Sequence, residues 1–528
     1  MKNIWNSPAP TLGLAMTASC LFMWGRNWHM YTWAGLGASL AWVLGVGLLL
    51  MLLVGLLARA CRTPHPRWLT MSQLYLLVGL LLVEILKTLL DIPAQELAAS
   101  LGIMPRYFRI PLALAVFLAV CLARGFRLLN TILLAWLLIA LGNGLVNIWS
   151  APEGKIAEAG FKVTLKKTPD IFLYFLESYH SPYAMRLLYG HDAGPMVEYL
   201  RGKNFLIYDQ TLSNSPASLM SMVDMFTMRP SFNLARGNSD ILQAGRRVIG
   251  GSDDNHLFKM LKNNGYYTTF LTMGSDYYFQ SRGPNLDATD DDVRSLFDLK
   301  PLYDLIPGQL RLLTAIYLKP SPQKLHGALP DRVRQIVERG PKQGSPFLAC
   351  FKGGAGHVPA SYRGTQEEIE AWKPVYLDKV AEADAEIKKI VEYLDEAAPE
   401  AIVILVGDHG AWGYRGVLGD HDTRLHWGSV LGRHDLEEVG RKITEWNVTL
   451  DTVVQDVFGT LLAIRLPGGE QRDISYGLAL NHVNLFRHVF AYLNDDPDLL
   501  STREEPPLSR LGNLILGRDN HPVLERSD

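Results

Sequence analysis

Cysteine is scarce in this chain of 528 residues: there are four, Cys20, Cys61, Cys121 and Cys350. Three of them lie among apolar runs near the amino terminus, so the remainder, with Cys350 alone, has no disulfide framework. That scarcity does not imply a reducing compartment, because a large domain needs no staples. A surplus of either charge is missing too. Lys plus Arg number 51 and Asp plus Glu 53, for a formal net charge of −2. Phosphate backbones select a basic excess, so the balance argues against nucleic acid as the main partner. There is no internal repeat and no low-complexity segment. The length exceeds one ordinary domain.

The even average hides a division. Residues 1–150 are mostly apolar and poor in acid, with hydrophobic runs near 9–25, 34–58, 71–90, 109–124 and 127–148. About 20 apolar residues span a bilayer as a helix, so we read about five transmembrane helices. With the amino terminus inside, Lys2, Arg59, Arg62, Arg67, Arg124 and Arg127 face inward, against Arg26, Arg106 and Arg109 outward. The positive-inside rule favours this orientation, and five crossings then put the carboxyl-terminal part outside the cytoplasm. Glu84 and Lys87, three residues apart in the third run, either line a cleft for a lipid head group or, as we favour, pair with each other on one helix face.

Residues 151–168 read as a juxtamembrane connector, and 169–528 as a catalytic domain. There, strand-like runs at 170–176, 205–209, 267–272, 346–352, 401–406 and 459–465 alternate with helical patterns at 194–203, 216–228, 254–264, 326–339, 374–397 and 483–494. The clearest helix carries Val380, Ala383, Ile387, Ile390, Val391 and Leu394 on one stripe. The alternation predicts an α/β/α domain with a largely parallel sheet, whose ligands bind beyond the carboxyl ends of the strands. The stretch 282–295 reads as a polar, acidic surface loop.

Four segments carry chemistry. Glu177 closes the first apolar run. Asp408 and His409, in Gly407-Asp408-His409-Gly410, close another, and such a pair can put an oxygen and a nitrogen on one metal ion. The flanking glycines are expected to let the backbone turn sharply. Ser218 falls in the first turn of a predicted helix, where backbone amides favour an anion. Pro216 suits that first turn, and Ser213 or Ser215 could cap it. His357 lies in a glycine-rich loop after a strand. His421 and His426 follow the Asp-His pair, and either could belong to the site.

These segments, in this order, resemble the alkaline phosphatase superfamily. Within it they are similar to the membrane-anchored, sulfatase-like group of lipoteichoic acid synthases and phosphoethanolamine transferases. Asp170-Ile-Phe-Leu-Tyr-Phe-Leu-Glu177 resembles that group's first strand and its metal-binding Glu. Ser218-Leu-Met-Ser221 resembles its nucleophile segment, where the best-known transferases carry Thr, and Gly407–Gly410 its metal-binding Asp-His. The resemblance implies one divalent ion, zinc or manganese, held by Glu177, Asp408, His409 and Ser218. It also implies catalytic roles for Ser218, His357 and His421. Such an ion would lower the pKa of the Ser218 hydroxyl and polarise a phosphoryl oxygen. The implied reaction moves phosphoglycerol or phosphoethanolamine from a membrane phospholipid to a cell-envelope glycan or lipid through a phospho-Ser218 intermediate. The implied place is the bacterial inner membrane, with the catalytic domain on the periplasmic or extracellular side. A phosphodiesterase or other hydrolase of envelope lipids or glycans is the alternative. A sulfatase proper is disfavoured, because its nucleophile is followed by x-Pro-x-Arg, whereas Ser218 is followed by Leu219, Met220 and Ser221.

Overall fold

The computed structural model describes residues 163–231, 238–271, 283–289, 329–339, 344–354, 364–418, 436–478, 480–502 and three strands between 508 and 526. Single positions at 356 and 358, and a few helical ones within 131–142, are described as well. The five apolar runs lie almost wholly outside these residues. Among the described residues no helix is long and apolar enough to cross a membrane.

All six expected strands form. They are β1 (Ile171–Glu177), β2 (Phe205–Leu212), β3 (Tyr267–Leu271), β5 (Phe347–Gly354), β6 (Ile402–Gly407) and β7 (Gly459–Arg465). A seventh, β4 (Ala288–Thr289), pairs with β3 through Thr269 and Phe270, so part of the stretch expected to be a surface loop is an edge strand. The sheet order is β2-β7-β6-β1-β5-β3-β4. It is largely parallel, but β7 runs antiparallel to both β6 and β2.

Alternation along the central strands sorts their side chains to two faces. Ile171, Leu173 and Phe175 of β1 lie with Leu348 and Cys350 of β5 and Ile402, Ile404 and Val406 of β6 in one core. Over that face pack α3 (Ser218–Thr227) and α10 (His482–Asn494), which bring Met222, Phe226, Phe486 and Phe490. Phe172, Tyr174 and Leu176 face the other way, toward α7 (Gln366–Ala397). The stripe from Val380 to Leu394 is the buried face of α7. This helix begins earlier than the expected 374, because Thr365 and Glu368 form a capping box there. Pro374 therefore sits inside it, where its missing N–H removes one helical bond.

Several helices were not anticipated: α1 (Pro182–Tyr189), α4 (Asn238–Ile249), α8 (Leu436–Glu445) and α9 (Leu450–Phe458). The carboxyl-terminal strands β8 (Leu508–Leu511), β9 (Leu514–Arg518) and β10 (His521–Arg526) form a separate antiparallel sheet. The remaining described helices, α2 (Gly194–Gly202), α5 (His256–Asn263) and α6 (Leu329–Arg339), occupy expected positions.

Candidate active site

The site is built by continuing three apolar rows past the end of the sheet. On β1 the row Ile171, Leu173, Phe175 ends in Glu177. On β6 the row Ile402, Ile404, Val406 is followed in phase by Asp408, whose N–H still donates to Leu176 O at 3.1 Å. On β5 the row Leu348, Cys350 is followed by Lys352. Registration is tight, since Glu177 pairs with Gly354 and Leu176 with Gly407. Three polar side chains thus emerge together toward the face covered by α3, whose first residue is Ser218.

Glu177, Asp408 and His409 each offer a ligand atom, and these atoms lie within 4.8 Å of one another. Ser218 Oγ donates to Glu177 Oε1 at 3.0 Å and lies 3.2 Å from His409 Nε2. Asp408 Oδ1 accepts the backbone N–H of Ser178 and of His409, each at 2.9 Å, which leaves Oδ2 facing the site. His409 Nδ1 lies 2.7 Å from Gly410 O, a donor position that leaves the Nε2 lone pair directed at Glu177 and Ser218. Asp408 and His409 are fully buried, and the Glu177 side chain is 16% exposed, so the site opens on the Glu177 side.

Charge inside the cradle is balanced by its own members. Burial and the Glu177 carboxylate push the Asp408 acid up, but His409 and Lys352 outweigh them, and its pKa stays below the usual range. Burial alone would lower the His409 imidazole, yet Asp408 and Glu177 carry it above its ordinary value. Lys352 contacts Glu177 Oε2, and its Nζ lies 2.8 Å from Asp408 Oδ2. A pocket that already holds an ammonium between two carboxylates suits a cation. The mixed oxygen and nitrogen donors suit a divalent metal ion.

The loops are locked to each other. Trp412 Nε1 donates to Pro216 O at 2.9 Å, tying the loop after His409 to the turn before Ser218. Asp456 accepts Gly413 N–H and Tyr414 N–H, each at 2.8 Å, and burial pushes its acid up to about 7 despite those bonds. Neither Gly407 nor Gly410 has a positive φ, contrary to the expected sharp turn. They are needed for close approach: a Cβ at Gly410 would lie 1.9 Å from Asp456 O, and one at Gly407 2.3 Å from Tyr179 O. The turn itself is made by Ser178 and Trp412, with φ of 53° and 62°.

The expected cap is also corrected. The helix starts at Ser218 after Ala217, with no side-chain cap, and Pro216 precedes it. Ser213 and Ser215 are engaged elsewhere: Ser213 Oγ donates to Ser215 O, and Ser215 Oγ lies 3.1 Å from Ser231 Oγ. Ser221 Oγ donates to Ser215 O, so among these serines only Ser218 turns its oxygen to the cradle. His357, His421 and His426 lie outside the described residues.

Two residues near the site were not anticipated. Lys352 reads in sequence as the solvated end of a strand. Its signal is phase, because it continues a buried row beside Glu177. His482 opens α10 and is buried. Burial holds its ring down to about 4, against an opposing pull from Asp408 and the Gly407 backbone, so it is neutral. A helix-start histidine after an asparagine cap carries no local signal of that placement.

A serine hydroxyl shared between a carboxylate and an imidazole, at the carboxyl edge of an α/β sheet, is placed as a nucleophile with a base beside it would be. Residues 169–433 match the Sulfatase family model, and the chain belongs to that family, making it an enzyme of the alkaline phosphatase and sulfatase superfamily. Solved structures similar to it include the C-terminal periplasmic domain of EptC from Escherichia coli in complex with zinc. That pair shares 13% identity over 63% of this chain and 84% of the other, with a TM-score of 0.37. The lipoteichoic acid synthase LtaP from Listeria monocytogenes shares 13% over 67% and 80%, with a TM-score of 0.39. The C-terminal periplasmic domain of the phosphoethanolamine transferase EptC from Campylobacter jejuni shares 13% over 62% and 90%, with a TM-score of 0.35. A search of curated protein sequences returns no match.

Proposed function

We propose that this chain is a metal-dependent phosphotransferase. It moves phosphoglycerol or phosphoethanolamine from a membrane phospholipid to a cell-envelope glycan or lipid through a phospho-Ser218 intermediate. The observation that carries the reading is the position of Ser218 Oγ, 3.0 Å from Glu177 Oε1 and 3.2 Å from His409 Nε2 at a helix start. The hydroxyl hydrogen is held by Glu177, which turns an oxygen lone pair outward. The Ser218 Oγ–phosphorus bond forms as the bond to the lipid oxygen breaks, and diacylglycerol leaves with a proton. The acceptor hydroxyl or amine then displaces Ser218, which regains its hydrogen. A zinc or manganese ion held by Glu177, Asp408, His409 and Ser218 would supply Lewis acidity at the hydroxyl and the phosphoryl oxygen. The start of α3 adds backbone dipole toward the anion. In this reading His357 and His421 carry protons at the leaving and entering groups. Residues 1–150 anchor the enzyme in a bacterial inner membrane, with the catalytic domain on the outer side, where a lipid donor is within reach.

Intact-mass measurement after incubation with phosphatidylglycerol or phosphatidylethanolamine tests this. A head-group phosphate adduct is expected on the wild type and none on Ser218→Ala. An unmodified wild type that nonetheless releases free head group would establish a hydrolase.

A further inference from the structure

We propose that Tyr376 is a positioning residue of the metal cradle: its hydroxyl braces the left-handed turn after Glu177, and through that turn it sets where the Glu177 and Asp408 carboxylates stand. The inference rests on the cradle assigned above and names the group behind it that keeps its shape.

The turn leaving β1 joins the two carboxylates. Glu177 is the last residue of the strand, and Ser178, the next, has φ of 53°, a conformation that a residue with a Cβ resists. The peptide unit between them carries the Ser178 N–H, which donates to Asp408 Oδ1 at 2.9 Å. Any relaxation of Ser178 therefore moves the end of β1 and the bond to Asp408 together. The following peptide unit carries the Ser178 carbonyl, and this is the oxygen to which Tyr376 donates, at 2.7 Å. The same hydroxyl accepts the His180 N–H at 3.3 Å, so it spans the turn from Ser178 to His180.

The brace is anchored away from the loops it holds. Tyr376 belongs to α7, whose buried stripe lies along the sheet, and its ring is fully buried. The ring stacks on Tyr189, with centroids 4.6 Å apart, and meets His180 edge-on at 5.6 Å. A phenylalanine keeps those contacts and loses only the two hydrogen bonds. Tyr174 supplies the comparison. It is equally buried, and its hydroxyl donates to Glu386 of α7, but it stands on β1 three residues before Glu177 and faces away from the cradle. That hydroxyl ties strand to helix without touching the turn. A residue that orients ligands changes metal affinity when it is altered, whereas one that only fastens the core changes stability.

The test measures manganese(II) binding to the full chain in detergent, by the paramagnetic resonance of the free ion, beside denaturant melts of the same samples. Tyr376→Phe should bind manganese about tenfold more weakly than wild type. Tyr174→Phe should lose stability as well, yet bind manganese within about twofold of wild type. A folded Tyr376→Phe that binds manganese as tightly as wild type overturns the proposal, as does an equal loss of affinity in both variants. If circular dichroism shows Tyr376→Phe unfolded, all three proteins are measured in trimethylamine N-oxide, which favours the compact state without supplying a hydroxyl, and the same two criteria apply. Since the readout is metal affinity, a wild type that binds manganese but forms no phospho-Ser218 sinks the transferase reading and leaves this one intact.

Discussion

Ser218 differs from the serines around it in where its oxygen points. Ser215 and Ser221 have a serine hydroxyl and a backbone carbonyl as partners, and Ser218 has the cradle. Ser221→Ala should therefore keep head-group transfer within about fivefold, whereas Ser218→Ala should lose at least about a thousandfold. Quantifying diacylglycerol release separates the two. Asp408→Asn should be worse for metal than for fold. The amide oxygen can still accept the Ser178 and His409 N–H groups, but its NH2 then faces Lys352 and any incoming ion. A metal-affinity loss of about a hundredfold with a stability loss of about 1–3 kcal/mol is expected, read by metal titration and denaturant melts. At this scale the sequence showed Glu177, Asp408 and His409, because an acid or imidazole ending an apolar run is conspicuous. It concealed Lys352, because a lysine at a strand end is usually solvated and only the register with Glu177 reveals otherwise.

The element that presents Ser218, α3, buries an acid. Asp224 accepts the Ser231 N–H, yet burial pushes its pKa from 3.8 up to about 7. The folded protein then binds this proton up to near neutrality, while the unfolded chain releases it near 3.8. Between those values the native state holds more protons, so stability falls as pH rises and levels off above about 7. Asp224→Asn removes the titration. Relative to wild type, the variant should gain on the order of 4 kcal/mol in stability between pH 4 and pH 7. Denaturant melts at a series of pH values check the sign; a difference that does not change with pH would refute it. His180 works in the opposite direction. Its ring joins Gly459 O and Ala411 N–H, and burial holds its pKa down to about 4, so its contribution is lost as pH falls from 6.5 toward 4. Alternation and helical stripe exposed most of these elements in the sequence. It did not expose the antiparallel β7, since an apolar run has the same composition in either direction.

Across the whole catalytic unit, distant segments converge on the turn before Ser218. Ser213 N–H donates to Phe458 O, Val483 N–H donates to Asn214 Oδ1, and Ser509 Oγ donates to Ser213 O at 2.6 Å. The last bond comes from the carboxyl-terminal sheet. Ending the chain after residue 507 should leave the far-ultraviolet dichroism nearly unchanged while lowering the melting temperature by a few degrees and transfer by about tenfold or more. Retained full activity would show that the terminal sheet does not position the turn before Ser218. The division expected from composition near residue 150 falls outside the described residues, whereas the layered order of 169–465 was legible from alternation. The terminal sheet was not, because its short strands have too few alternations to stand out.

Local chemistry, strand by strand, announced the carboxylates, the imidazole, the hydroxyl and the layered α/β class, since each depends on residue type and short-range periodicity. Folding alone decided which serine faces them, that the glycines serve close packing, and that a lysine shares the cradle. Those outcomes depend on register between strands far apart in the chain, and register is set by long-range packing that no local window contains.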